Sequence, residues 1–345
     1  MKALRLSRWA QPARLEQVPV PRPGPGQVLL RILAAGACHS DLHLMEWPEG
    51  QLPWTLPFTL GHENAGRVEE VGPGVEDVRA GDAVLVYGPW GCGRCRPCRL
   101  GRENYCERAG ELVAAGGGLG RDGGLAEFML VPSSRLLVPL GSLDPVPAAP
   151  LSDAALTPYH AIKPSLPALA PGSTAVVIGV GGLGQMAVQL LRALSPARVI
   201  AVDKDRGRLE AALGLGASAA LASGSATADE IRAATSRLGA ELVLDVVGSD
   251  DTLALGASVL RAEGRLALIG LAGGRLPFGF FGLPYGAQAA TSYWGTIPEL
   301  IELVALAHAG RIRLEVETFP LDRAAEAYER LRRGEIRGRA VVVPG

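Results

Sequence analysis

Four cysteines, Cys92, Cys95, Cys98 and Cys106, fall within fifteen residues in the pattern C-x2-C-x2-C-x7-C. Disulfides are the ordinary use of clustered cysteines, but residues this close in sequence are poorly placed to bridge one another, and a cytosolic chain keeps its thiols reduced. Four thiolates can instead close a tetrahedral zinc shell with no vacant position, a site that folds its loop without doing chemistry. An iron–sulfur cluster is the alternative at this spacing. The interleaved Arg94, Arg96, Arg99 and Arg102 would offset the charge of a four-thiolate centre, or simply form an exposed basic loop.

A second chemistry-bearing stretch is TAVVIGVGGLGQMAVQLL, in which Gly179, Gly181 and Gly184 stand in G-x-G-x-x-G order, with Gly182 and Leu183 inside the loop. The motif follows a β-type run and opens a helix-type one. In that setting the first glycine permits a tight turn, the second admits a pyrophosphate close to the backbone, and the third lets the helix pack closely. Anion binding at the helix N-terminus follows. Asp203 ends the next strand, VIAVD, where a carboxylate can accept hydrogen bonds from a ribose diol and repel a 2′-phosphate, so NAD is expected over NADP. Lys204, Arg206 and Arg208 are nearby cations that soften this preference.

These motifs must be carried by elements. Up to about residue 150, short β-type runs (VLLRILAAG, GRVEEVG, DAVLVYG, AEFMLVP) are bounded by Gly, Pro or Asp, which predicts an irregular, mostly β domain. From about 172, strand segments at 174–179, 198–203, 218–221, 241–247 and 265–270 alternate with helical ones at 182–194, 205–213, 226–237 and 250–260. That alternation predicts a parallel sheet covered on both faces, the doubly wound arrangement. After about 290 come helices at 298–309 and 322–333 and a closing strand, RAVVVPG. The expected organisation is a first domain over 1–153, a nucleotide-binding domain over 154–290, and a segment over 291–345 that packs back on the first.

Composition agrees with a globular two-domain chain: 345 residues, 48% hydrophobic and 20% charged. A net charge of -1 leaves no broad electrostatic footprint for nucleic acid or an anionic membrane. Residues 164–191 carry no charge and are long enough to span a bilayer, but Pro164, Pro167 and Pro171 and the glycine cluster break them into strand, turn and helix. The opening residues hold no apolar run of signal-peptide length, so a cytoplasmic protein is expected.

Cys38, in GACHSDLH, and His62, in GHENAG, would each be unremarkable alone, the first as a small core residue and the second as a hydrogen-bonded interior histidine. Taken with the four-cysteine loop, the nucleotide fingerprint and the order in which all of these occur, they make the sequence resemble the zinc-dependent medium-chain alcohol dehydrogenases over essentially its whole length. The resemblance implies a GroES-like, mostly β catalytic domain, a doubly wound Rossmann coenzyme domain, and a catalytic zinc in the cleft between them. With the four-cysteine site, it implies two zinc ions per subunit.

By match to the family's motifs, Cys38 and His62 are zinc ligands. The family's third ligand is commonly a cysteine, but none remains here; Asp153, in LSDAALTPYHAI, stands at that place. A Cys, His, Asp shell with an open position is therefore expected. Carboxylate donates less charge than thiolate, so this metal should be the stronger Lewis acid and exchange more readily. Glu63 is implied to approach the metal from outside its ligands or to exchange in transiently, with a plain surface glutamate as the alternative. Asp41 matches the position that accepts a hydrogen bond from the ligand histidine. Ser40 and His43 match a proton relay from the reacting hydroxyl to solvent. His39 matches a pyrophosphate contact, and Thr157 one that packs on the nicotinamide. Trp54, Leu119, Tyr293 and Trp294 are candidates for an apolar substrate wall, which favours secondary, hydrophobic or aryl-alkyl alcohols over polyols. His160 and His308 are assigned no role.

Two other readings compete. A zinc polyol dehydrogenase would need hydroxyl-binding side chains in the pocket. An NAD-binding redox sensor would use the cysteine loop to hold a partner; the neutral charge balance and the Cys38, Ser40, His62 constellation weigh against it. Zinc-free quinone reductases of the same superfamily conflict with both metal constellations. A homodimer or homotetramer is expected, with the region near 265–295 as a subunit contact.

Overall fold

In the computed structural model, which describes residues 1–277 and 279–345, the chain separates into two compact units. One comprises Met1–Asp153 with Thr296–Gly345, and the other Ala154–Gly295.

The first unit is mostly β. Its largest sheet runs in the order Leu137–Pro139, Ala83–Val86, Glu63–Val71, Val28–Gly36, Arg339–Val343, Val316–Pro320, with Phe128–Val131 also pairing Val28–Gly36. Strand Val28–Gly36 is the centre because its residues are nearly all buried, with Arg31 the exposed exception. The pairing register decides what meets at its end. Gly36 lies opposite Glu63 on one side, and Val341 lies opposite Gly36 on the other. Cys38, His62 and Arg339, each within two residues of those partners, are therefore gathered at one end of a three-strand ladder. Helix His39–Glu46 then leaves directly from Cys38, whose backbone is still extended.

The second unit holds a six-stranded, wholly parallel sheet in the order Ala219–Ala222, Arg198–Asp203, Thr174–Ile178, Ala240–Asp245, Leu260–Leu268, Gln288–Thr291. Numbered by sequence, this is 3-2-1-4-5-6, the dinucleotide-binding order, with its switch point between the first and fourth strands. Thr174–Ile178 is buried at every residue, as a strand covered on both faces must be. Val176, Ile178, Ile200, Val202, Val243 and Leu266 form one continuous core layer. Each such side chain contributes roughly 1.5–3 kcal/mol through burial. Helices Gly182–Leu194, Arg206–Gly214, Thr227–Ala234 and Asp250–Val259 alternate with these strands. The first stops at Ser195, held extended before Pro196, where the proline ring excludes helical geometry. Among the described residues, no helix is long and apolar enough to cross a membrane.

One backbone approach in this unit admits no side chain. A Cβ on Gly184 would lie 1.9 Å from the Gly179 carbonyl oxygen, so the helix can pack against the turn only with glycine there. Gly184→Ala is therefore expected to cost about 1–3 kcal/mol of stability and to abolish NADH binding. Chemical denaturation and NADH fluorescence titration measure the two; a wild-type midpoint with wild-type binding would contradict this account.

Candidate active site and metal centres

The ladder end in the first unit becomes a site because four buried side chains converge there. One donor atom from each of Cys38, His62, Glu63 and Asp153 lies within 4.8 Å of all the others. Asp153 arrives on a different element, capping the end of the 3-10 turn Ala149–Ser152 that packs against strands Glu63–Val71 and Val28–Gly36. Its Oδ2 is 3.8 Å from Cys38 Sγ and 3.6 Å from His62 Nε2. In a tetrahedral zinc shell with bonds of about 2.0–2.3 Å, neighbouring donors lie roughly 3.3–3.8 Å apart. The thiol, imidazole and carboxylate fit zinc in both spacing and chemistry.

Asp41 sets the orientation of two of these groups. Its Oδ1 is 3.1 Å from His62 Nδ1, and its Oδ2 accepts from the Cys38 backbone N–H at 3.0 Å. With Nδ1–H committed to Asp41, the neutral ring presents its Nε2 lone pair toward Cys38 and Asp153. Burial disfavours a charged His62, but Asp41, Asp153 and Cys38 together outweigh it and hold the imidazolium well above its ordinary range. The site's field thus attracts positive charge, whether a proton or a divalent cation.

Sequence reasoning missed Arg339 and Tyr328. Arg339 is buried and grips Glu63 at two points, Nε to Oε2 at 2.9 Å and Nη2 to Oε1, while the same Nη2 lies 3.8 Å from Asp153 Oδ2. The carboxylate of Glu63 lies so close to strand Val28–Gly36 that a Cβ on Gly36 would fall 1.9 Å from Oε2. Burial pushes Glu63 up to about 7, against the downward pull of Arg339. Glu63 is thus fully buried, which disposes of the surface-glutamate alternative. The signal for Arg339 was a lone charge opening the otherwise apolar strand RAVVV; for Tyr328 it was a phenol on the buried face of helix Ala324–Arg332.

Ser40 and His43 lie three apart on helix His39–Glu46 and so share a face. Cys38 Sγ is 3.6 Å from Ser40 Oγ, and half-buried His43 stacks on Trp47 with ring centroids 5.9 Å apart. His39, the first residue of the helix, is exposed. Trp54 is half-buried and meets Phe58 edge-on at 6.2 Å, and Leu119 is buried.

The four-cysteine loop also belongs to this unit. Its Sγ atoms include pairs 3.3 Å (Cys95 to Cys98) and 3.9 Å (Cys95 to Cys106) apart, and all four form a single cluster of potential ligands. The thiols are free, and these separations match a tetrahedral zinc shell rather than the ~2.05 Å of a disulfide. Backbone N–H groups of Arg94 and Cys95 lower Cys92 to about 6, favouring the thiolate that binds metal. Buried Glu103, inside the loop, is paired with Arg135.

In the second unit, the loop Gly179–Gly184 carries Gly182 and Leu183 into the first turn of helix Gly182–Leu194. Asp203 is buried at the end of its strand; Oδ2 accepts from Val180 N–H at 2.7 Å and Oδ1 from Asp205 N–H at 3.0 Å. A carboxylate has about four acceptor positions, so both oxygens retain capacity for a ribose diol. Lys204 is exposed, while Arg208 sits in the first turn of the next helix, its backbone N–H bonded to Asp205. Thr157 is buried in helix Leu156–Ile162. Tyr293 and Trp294, adjacent in sequence, occupy different environments: Tyr293 is 47% exposed and Trp294 only 6%. Trp294 also has a φ of 52°, a conformation that bulky residues rarely adopt.

Comparison with known proteins agrees with this geometry. Residues 24–142 match the alcohol dehydrogenase GroES-like domain, and residues 182–309 match the zinc-binding dehydrogenase domain. The chain belongs to the zinc-dependent medium-chain alcohol dehydrogenase family. An NAD-dependent alcohol dehydrogenase of Sulfurisphaera tokodaii is 39% identical over 355 residues, covering the whole of both chains. The D-arabinose 1-dehydrogenase (NADP(+)) of Saccharolobus solfataricus is 36% identical over 348 residues, covering 99% of this chain and 97% of the relative. The crystal structure of the alcohol dehydrogenase from Aeropyrum pernix superposes with a TM-score of 0.92 at 39% identity, again covering both chains entirely.

The metal assignments carry a direct expectation. Asp153→Ala should lower bound zinc from two ions per chain to one, with the four-cysteine ion retained and circular dichroism unchanged. Elemental analysis after dialysis measures it; two retained ions would remove Asp153 from the ligand set.

Proposed function

We propose that this enzyme interconverts hydrophobic secondary alcohols, aryl-alkyl ones included, with their ketones, using NAD as hydride carrier and zinc held by Cys38, His62 and Asp153. The observation that carries the proposal is the convergence of those three donors, with Asp41 behind the imidazole. Bound there, zinc supplies the Lewis acidity that eases loss of the substrate hydroxyl proton, and NAD accepts the hydride.

The chain's own residues do the rest. The Ser40 hydroxyl, beside Cys38, accepts the departing proton as it gives up its own, and His43, on the same helical face, passes a proton through the ribose hydroxyl to solvent. Arg339 pairs with both oxygens of Glu63, which keeps that carboxylate beside the ligands as the one that can exchange in, with Asp153 as the resident ligand. Asp203 selects the unphosphorylated ribose, since a 2′-phosphate would meet a buried carboxylate. Lys204 and Arg208 flank it, His39 contacts the pyrophosphate and Thr157 the nicotinamide. Trp54 and Leu119 supply apolar surface, with Trp294 and Tyr293 as further wall candidates.

A second reading, oxidation of a sugar or polyol, is favoured by the 36% identity to the D-arabinose dehydrogenase. It requires hydroxyl-binding groups that Trp54 and Leu119 do not offer. The two separate in one assay. Turnover of 1-phenylethanol with NAD should exceed that of sorbitol at least tenfold in kcat/KM, and the reverse order would establish the polyol reading.

The five free cysteines support a reducing, cytoplasmic setting. A homodimer or homotetramer is supported by the open edge strand Gln288–Thr291, largely exposed, near the exposed rings of Phe280, Phe281 and Tyr285. Sedimentation equilibrium should give a multiple of the 35.9 kDa chain mass, and charge placed at Ala289 should shift it toward monomer.

A further inference from the structure

The helix Ala324–Arg332 buries Ala324, Ala327, Tyr328 and Leu331 and packs against helix His39–Glu46. Three of those four buried residues are purely apolar. The fourth, Tyr328, is 4% exposed and donates its hydroxyl to Asp41 Oδ2 at 2.7 Å. Asp41 is completely buried, and its two oxygens now have three partners: the Cys38 backbone N–H, His62 Nδ1, and this phenol from 287 residues away. Two of the partners belong to the metal-binding residues themselves. The third comes from the C-terminal segment.

We propose that Tyr328 is a positioning residue for the catalytic metal, locking the Asp41 carboxylate so that it fixes both the His62 ring and the Cys38 backbone. The inference rests on the reading that Cys38, His62 and Asp153 hold zinc. Its physical basis is twofold. A buried carboxylate with three donors in different directions has one rotamer, and through it the ligand histidine has one orientation. The phenol also fills acceptor capacity of a fully buried carboxylate, so Asp41 stays where it holds the His62 Nδ1 proton and leaves the Nε2 lone pair for the metal. Burial and the adjacent Asp41 hold the Tyr328 hydroxyl well above its ordinary range, and it stays a donor. The exposed ion pair between Arg332 and Glu46, 3.4 Å apart, clips the same two helices together farther out.

The test uses the full chain with cobalt(II) in the Cys38 site and zinc retained in the four-cysteine loop. Three proteins are compared: wild type, Tyr328→Phe, which removes only the oxygen, and Leu331→Ala, which loosens the same helix without touching Asp41. Chelator competition gives cobalt affinity, the cobalt ligand-field bands report the shell's geometry and donor strength, and thermal melting reports packing. Tyr328→Phe should weaken cobalt binding by about tenfold, as loss of an outer hydrogen-bond partner does in metal sites, and shift the bands. Leu331→Ala should lower the melting temperature by several degrees while leaving affinity and bands in place. If Tyr328→Phe matches wild type in both cobalt readouts, or Leu331→Ala reproduces its changes, Tyr328 is only a packing residue. Failure of wild type to take up cobalt with a thiolate charge-transfer band would instead overturn the zinc reading, and this inference with it.

Discussion

The structure of the first unit is governed by a concentration of acidic side chains in a dry place. Cys38, Asp41, Glu63 and Asp153 are all buried at the end of one strand ladder, and isolated buried anions are among the costliest features a fold can carry. Arg339 offsets part of that cost by gripping Glu63 and standing near Asp153. The thiol and carboxylate that remain beside His62 are left for a divalent cation. The strand register is what makes the cluster unavoidable: with Gly36 opposite Glu63 and Val341 opposite Gly36, the ligands and their counter-charge share one end of the sheet.

A division of labour follows from this arrangement. The four-cysteine loop uses four like donors in a closed shell, which suits an ion that only organises chain. The Cys38 cluster mixes thiol, imidazole and carboxylate donors, the kind of set that catalytic zinc sites use. In the proposed ligand set, Asp153 would carry the same formal charge as a thiolate while offering a harder, less donating oxygen. The nucleotide unit follows a separate logic, in which a parallel sheet, a backbone approach that only Gly184 allows, and one buried carboxylate at Asp203 prepare a place for a dinucleotide with a free ribose diol.

Much of this was legible in the sequence because it is local. The spacing of Cys92, Cys95, Cys98 and Cys106 constrains their sulfurs within a few residues. The glycine fingerprint, the helix it opens and the strand ending in Asp203 are likewise short-range patterns, and the strands and helices between residues 172 and 270 appear where hydrophobic periodicity puts them. The strand there that begins earlier than expected, Leu260–Leu268 against 265–270, begins where Ala240 pairs with Leu260 ahead of a register shift, a partner the local pattern does not contain. Helix Thr227–Ala234 stops short of 237 because Ser236 and Arg237 take left-handed backbone conformations.

What the sequence alone determined about this protein was the inventory: which side chains can bind metal, which loop can receive a pyrophosphate, and which family's order of motifs they follow. Only tertiary structure decided the wiring among them. Arg339 reaches Glu63 across 276 residues and Tyr328 reaches Asp41 across 287, and no periodicity encodes such contacts. Likewise, adjacent Tyr293 and Trp294 look interchangeable as letters, yet backbone geometry buries one and exposes the other. The reason is physical: local propensity depends on neighbours along the chain, whereas the pairing of buried charges and hydroxyls depends on which surfaces the hydrophobic core brings face to face.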